Sequence, residues 1–270
     1  MKIILSHDVD HLNLREHLTK DLIVQKFYVR SLLEFSKGMI GMNELLLRFA
    51  DFYKNKWNSI EEIIQLHQSL DIKSSFFVGV ANGRGLNYHH THAAHWIKFI
   101  KEKGFEVGVH GIAYNNQIDM QSEYDLFRNY FGTGDFGIRM HYLKMTTDTL
   151  TFTKNCGYLY DSTIYEYRNP YYKDNLLLFP LQIMDVWVMS AEKRWQYRNL
   201  EQAKEYTLRE LDKAHQCNLN YLSILFHDVY YRNSFKTWKD WYDWLLQFLL
   251  DNKYVFVDYR TAKKEIDLLQ

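Results

Sequence analysis

Apolar positions along the 270-residue chain alternate between two textures. Short dense runs rich in β-branched and aromatic residues read as buried strands. They are Ile3 to Leu5, Ser74 to Val80, Phe105 to His110, Gly137 to His141, Leu159 to Thr163, Met184 to Met189, Tyr221 to His227 and Tyr254 to Val257. Between them apolar residues recur every three or four positions, the spacing of one helix face. Such stretches are Met42 to Tyr53 and Ser59 to Ser69, within a largely helical span from Leu18 to Leu70. Others are His92 to Lys103 (ended by Gly104), Ser122 to Phe131, Thr147 to Cys156, Leu200 to Gln216 and Trp238 to Leu250. Ser59 followed by Glu62 predicts a capping box. Strand–helix alternation on this scale predicts an α/β fold with a parallel sheet, open or closed into a barrel. No repeat or low-complexity linker breaks the pattern, so one domain over residues 1–270 is expected.

Composition narrows the picture. Lys+Arg and Asp+Glu are 33 each, so overall charge gives no reason to expect nucleic acid or an anionic membrane as partner. No stretch is apolar enough to span a bilayer, since Leu245 to Leu250 is interrupted by Gln247 and flanked by charge. The first strand opens without an apolar leader before it, and Cys156 and Cys217 make neither a zinc spacing nor a disulfide framework. The expectation is a cytoplasmic protein; oligomeric state is not legible.

Chemistry gathers at the strand ends. Behind Ile3 to Leu5 runs Ser6-His7-Asp8-Val9-Asp10-His11. Alternation along a strand sends Asp8 and Asp10 to the same side, where they repel unless a cation or a shared proton compensates them. An Asx-turn loop is the plain alternative. Later runs end in His110, in Arg139-Met140-His141, in Asp161-Ser162-Thr163 and in Phe226-His227-Asp228. A single histidine after an apolar run is more often structural than a ligand. Several such ends in one domain match the way parallel barrels collect their chemistry at carboxyl-terminal strand ends.

In this order the motifs resemble the polysaccharide deacetylases of carbohydrate esterase family 4, the NodB-homology domain, and more closely a divergent bacterial branch with Ser-His-Asp-Val-Asp-His near the start. The resemblance spans Ile3 to Phe256 and implies a distorted (β/α)7-type barrel that uses a divalent metal to hydrolyse N-acetyl groups. It implies Asp8 as general base, Asp10 and His110 as metal ligands, and Arg139 as the residue orienting the base. His227, in Leu225-Phe226-His227, would be the general acid, with Asp228 orienting its ring. Two departures stand out. Val9 separates carboxylates that are adjacent in familiar members, and Tyr114 stands four residues after His110 where a second histidine is usual. His141, ending a neighbouring strand, is the natural third ligand, with His7 and His11 as other candidates. The implied metal is zinc, with nickel or cobalt as alternatives. The implied substrate is an N-acetylated sugar or polysaccharide precursor of a bacterial surface polysaccharide. A non-catalytic saccharide-binding descendant and another metallohydrolase such as a phosphoesterase are the rival readings.

Three further features have plainer readings. His89-His90-x-His92-x-x-His95 is expected to be solvated at a helix start, and the aromatic residues from Trp238 to Trp244 to pack in the core. The tyrosines Tyr158, Tyr160, Tyr165, Tyr167, Tyr171 and Tyr172 could stack on sugar rings or pack within their own loop.

Overall fold

The computed structural model describes residues 1–191, 193 and 195–269. The chain opens with β1 (Lys2–Val9), followed by α1 (Ile23–Ser36), α2 (Met42–Lys54) and α3 (Ile60–Ser69). Then come β2 (Ser75–Val78), α4 (His90–Glu102), β3 (Glu106–Gly111), α5 (Gln117–Phe131), β4 (Ile138–Met140), α6 (Thr149–Cys156) and β5 (Tyr160–Asp161). The hairpin β6 (Tyr171–Lys173) and β7 (Leu176–Leu178) precedes β8 (Ile183–Met184), α7 (Asp185–Ser190) and α8 (Leu200–Gln216). The chain closes with β9 (Tyr221–Leu225), α9 (Lys236–Asp251), β10 (Val255–Val257) and α10 (Tyr259–Asp267).

One ten-stranded sheet runs in the order β6-β7-β5-β4-β3-β2-β1-β9-β8, with β10 also paired to β1. All pairings are parallel except that of β6 with β7. The sheet curls into a half-barrel of the distorted kind that the resemblance implies, with β6 and β8 at its edges.

Strand parity decides which chemistry enters the curl. Along β1, Ile3, Leu5 and Val9 join the large core beneath the helices, whereas Ile4 belongs to a second, smaller cluster with Phe77, Tyr160 and Tyr259. Ser6 and Asp8 share the parity of Ile4 and so line the concave side. On β3, Val107 and Val109 face the helices and His110 faces inward; on β4, Ile138 and Met140 face out and Arg139 in. Gly137 lies on that crowded inner face. A Cβ there would lie 2.2 Å from the Tyr160 ring, so only glycine admits this packing.

Two sequence expectations fail here. Met184 to Met189 alternates like a strand, but only Met184 belongs to one, and residues 185–190 form α7. The Asp185 carboxylate accepts the Val186 N–H at 2.6 Å and fixes a helix start that period-two alternation conceals. The capping box at Ser59 is also absent. Asp228 accepts the Ser59 N–H at 2.9 Å, while Glu62, which would have taken it, pairs with Lys56 at 2.8 Å. The β6–β7 hairpin turns at Asp174 and Asn175, which both adopt positive φ, the geometry of a two-residue primed turn. Trp238 and Trp241 lie fully in the core, as their helical spacing predicts.

Candidate active site

Asp10, His110 and His141 meet at the carboxyl ends of β1, β3 and β4. His110 Nε2 lies 3.1 Å from Asp10 Oδ1 and 2.9 Å from His141 Nδ1, and His141 Nδ1 lies 3.1 Å from Asp10 Oδ1. The opposite nitrogen of each ring faces a backbone carbonyl: His110 Nδ1 donates to Arg139 O at 3.2 Å and His141 Nε2 to Arg84 O at 2.9 Å. A carbonyl can only accept, so each neutral ring keeps its lone pair on the nitrogen inside the triangle. Two nitrogen lone pairs and a carboxylate oxygen then converge with no donor among them. A cation satisfies that arrangement. Zinc with ligands at about 2.0–2.1 Å places neighbouring donors roughly 3.3 Å apart, close to the observed triangle. The backbone acceptors behind both histidines are the outer contacts that fix metal-binding tautomers. Burial opposes protonation of His141, but the Asp10 charge and hydrogen bond, together with the Arg84 carbonyl, lift its pKa above the ordinary histidine value. The Asp10 carboxylate thus favours a positive charge at this corner of the site.

Gly85 permits the Arg84 contact. Its φ is +89°, and a Cβ there would lie 2.5 Å from the Tyr142 hydroxyl and 3.2 Å from His141 Nε2. Neither Arg84 nor Gly85 stood out in the sequence, because their role depends on a loop packing over a distant strand end.

Asp8 lies beside the triangle, its Oδ2 3.8 Å from His110 Nδ1. Arg139, fully buried, donates from Nη1 to Asp8 Oδ1 and to Ser6 Oγ, both at 2.9 Å. The rest of its guanidinium is held by Ser162 O at 3.1 Å, Ser162 Oγ at 2.9 Å and Tyr259 Oη at 2.5 Å, over the face of Phe77. The Asp161-Ser162-Thr163 motif therefore serves Arg139. Asp161 closes the turn by accepting the Thr163 N–H at 2.8 Å and its hydroxyl at 3.1 Å, and burial pushes its carboxyl up to about 6. Tyr259 was missed, since α10 offered no strand-end signal.

His227 completes the group from β9. Its Nε2 lies 3.8 Å from Asp10 Oδ2, and its Nδ1 donates to Asp185 Oδ1 at 2.8 Å. Asp185 Oδ2 also accepts the His227 N–H at 2.7 Å. Burial disfavours the charged ring, but Asp185, then Asp10 and Asp8, carry the pKa of His227 well above the ordinary histidine value. Asp228 does not orient this ring. It bonds Ser59 instead, and burial pushes its carboxyl up to about 7. The orienting carboxylate is Asp185, hidden in the stretch that reads as a strand.

The other candidates lie apart from the triangle. His7 turns to the opposite face of β1 and donates from Nδ1 to Phe226 O at 2.9 Å. His11 stacks on Trp57 with ring centroids 4.7 Å apart and pairs with His17 at 3.0 Å. His89 caps α4 through the Thr91 N–H, His90 meets the Tyr130 hydroxyl at 2.6 Å, and His92 meets Glu16 at 2.7 Å. Among the described residues, only Asp10, His110 and His141 form a group able to hold a metal ion. Tyr158 and Tyr160 are buried core, whereas Tyr165 is 43% exposed and packs edge-on to Trp187 at 4.1 Å.

The curled sheet has the NodB-type fold seen in solved structures of polysaccharide deacetylases. A Mycobacterium smegmatis protein assigned as a polysaccharide deacetylase is 14% identical, over 98% of this chain and 88% of that one, with a TM-score of 0.61. A Pseudomonas aeruginosa protein with the same assignment is 13% identical, over 97% and 88%, with a TM-score of 0.62. The Puue allantoinase is 13% identical, over 96% and 86%, with a TM-score of 0.63. No protein-family model matches the sequence, and no curated protein does. Among the described residues, no helix is long and apolar enough to cross a membrane.

Proposed function

We propose that this chain is a metal-dependent N-deacetylase of an amino sugar, acting in the cytoplasm on a unit or precursor of a bacterial surface polysaccharide. The observation that carries this reading is the donor-free triangle of Asp10, His110 and His141, flanked by a positioned carboxylate and a positioned imidazole. A divalent cation there, zinc or else nickel or cobalt, would polarise an acetyl carbonyl and lower the pKa of water beside it. Asp8 is the general base: Arg139 occupies Oδ1, and Oδ2 accepts no hydrogen bond among the described residues. Arg139 fixes that carboxylate in place through the 2.9 Å bond from Nη1. His227 is the general acid, because Asp185 holds a proton on Nδ1 and stabilises the charged ring whose Nε2 faces the triangle. The amide C–N bond breaks as the acetyl carbon gains the water oxygen and the leaving nitrogen gains a proton from His227.

His141 supplies the third corner that Tyr114 does not, which favours a working site over a non-catalytic descendant. Acetate release is the assay, across nucleotide-linked, lipid-linked and oligomeric N-acetyl sugars, with zinc, cobalt and nickel each supplied. Acetate release that is lost in His110→Ala and His141→Ala is expected. Phosphate release from phosphoester controls would reassign the reaction, and silence across the panel with saccharide binding intact would make the chain a binding protein.

A further inference from the structure

Beside the triangle lies a cavity of about 590 Å³, walled by Phe27, Leu33, Trp57, Val229 and Phe235. It meets the site at two points. His11, the residue after the ligand Asp10, lines it, as does Tyr230, whose ring lies 6.1 Å from that of His227. Its volume is that of a small-molecule site, within roughly 300–1,000 Å³. The aliphatic part of its wall, Leu22, Ile23, Val29, Leu33 and Val229, offers saccharide hydroxyls no partners for the water they would lose. The wall continues outward onto apolar surface, with Leu22 58% and Val29 67% exposed. Lys26 and Arg30 also line the cavity; Arg30 is paired with Glu34 at 2.7 Å, so Lys26 is the cation left without a carboxylate partner among the described lining residues, and it suits an anionic group near the mouth.

We propose that this cavity binds the hydrocarbon chain of an amphiphilic substrate, so that the amino sugar reaching the triangle is carried on a lipid through an anionic linkage. The proposal rests on the deacetylase reading and names its substrate class. The lining fits such a molecule: apolar chain in the cavity, linkage near Lys26, and the sugar on the side of His11 and Tyr230, toward the strand ends.

Binding can be measured without turnover, because Trp57 and Trp195 line the cavity and report occupancy by fluorescence. Dodecyl and methyl glycosides of N-acetylglucosamine are titrated below the micellar concentration of the former. The dodecyl glycoside is expected to bind on the order of a hundredfold more tightly, since each buried methylene contributes. Leu33→Trp, which fills the cavity, should abolish that preference. Val29→Glu, at an exposed position on the rim, should reduce it even if Leu33→Trp misfolds. Equal affinity for the two glycosides, or an undiminished preference in folded variants, overturns the proposal. Chain-dependent binding without acetate release would leave the cavity assignment standing and remove the reaction. Acetate release from the methyl glycoside without any chain preference would do the reverse.

Discussion

Replacing Arg139 with methionine tests how the base is held. The guanidinium is fully buried, so its removal matters through the partners it leaves behind. Ser6 Oγ still donates to Ile224 O at 3.1 Å, and Ser162 Oγ still meets Tyr259 Oη at 2.9 Å. The groups stranded are Ser162 O and, above all, the Asp8 carboxylate, which is 3% exposed. Leaving a buried charge without its partner costs about 3–5 kcal/mol, so Arg139→Met should destabilise by that amount. Asp8→Asn keeps an acceptor for the guanidinium and should cost only about 1–2 kcal/mol. In the double variant the stranded charge is gone, and the loss should fall about 2–3 kcal/mol short of the sum of the single losses. Guanidinium unfolding of the four proteins at fixed pH and metal concentration provides the cycle. A coupling below about 0.5 kcal/mol would refute the idea that Arg139 is there to hold Asp8.

Other expectations follow from individual contacts. Asp8→Asn should keep the metal and lose turnover, whereas Asp10→Asn should lose both, as metal analysis and acetate release will show; the reverse pattern would exchange their roles. Gly85→Ala must place a side chain at positive φ against Tyr142, so it should cost about 1–3 kcal/mol in thermal unfolding and weaken metal binding through His141. His7 has its pKa lowered by burial from 6.5 to about 3, so the unfolded chain binds a proton that the folded chain refuses between those values. Stability should therefore fall as pH drops below about 6.5, and His7→Phe should remove roughly 2 kcal/mol of the loss between pH 7.5 and pH 5, measured by denaturant unfolding.

Much of the site was legible because strand ends are local. Asp8, Asp10, His110, Arg139, His141 and His227 each lie in or just after a short apolar run, and period-two alternation gives the face of Asp8, His110 and Arg139, which lie within strands. What stayed hidden depends on segments distant in sequence. Asp185 lies in a run whose alternation mimics a strand, and its carboxylate finds His227 only after β8 and β9 pair. Tyr259 reaches Arg139 from a helix 120 residues further along the chain. Asp228 was misread for a related reason. Its nearness to His227 in sequence suggested a partnership, but the turn after His227 carries its carboxylate to the start of α3. Adjacency along the chain does not specify side-chain direction once a strand has ended.

The most direct measurement is anomalous scattering at the zinc edge from crystals grown with zinc. One peak is predicted, bound by Asp10 Oδ1, His110 Nε2 and His141 Nδ1. Zinc found instead in the His89 to His95 tract, or none bound with the three side chains drawn apart, would contradict the account.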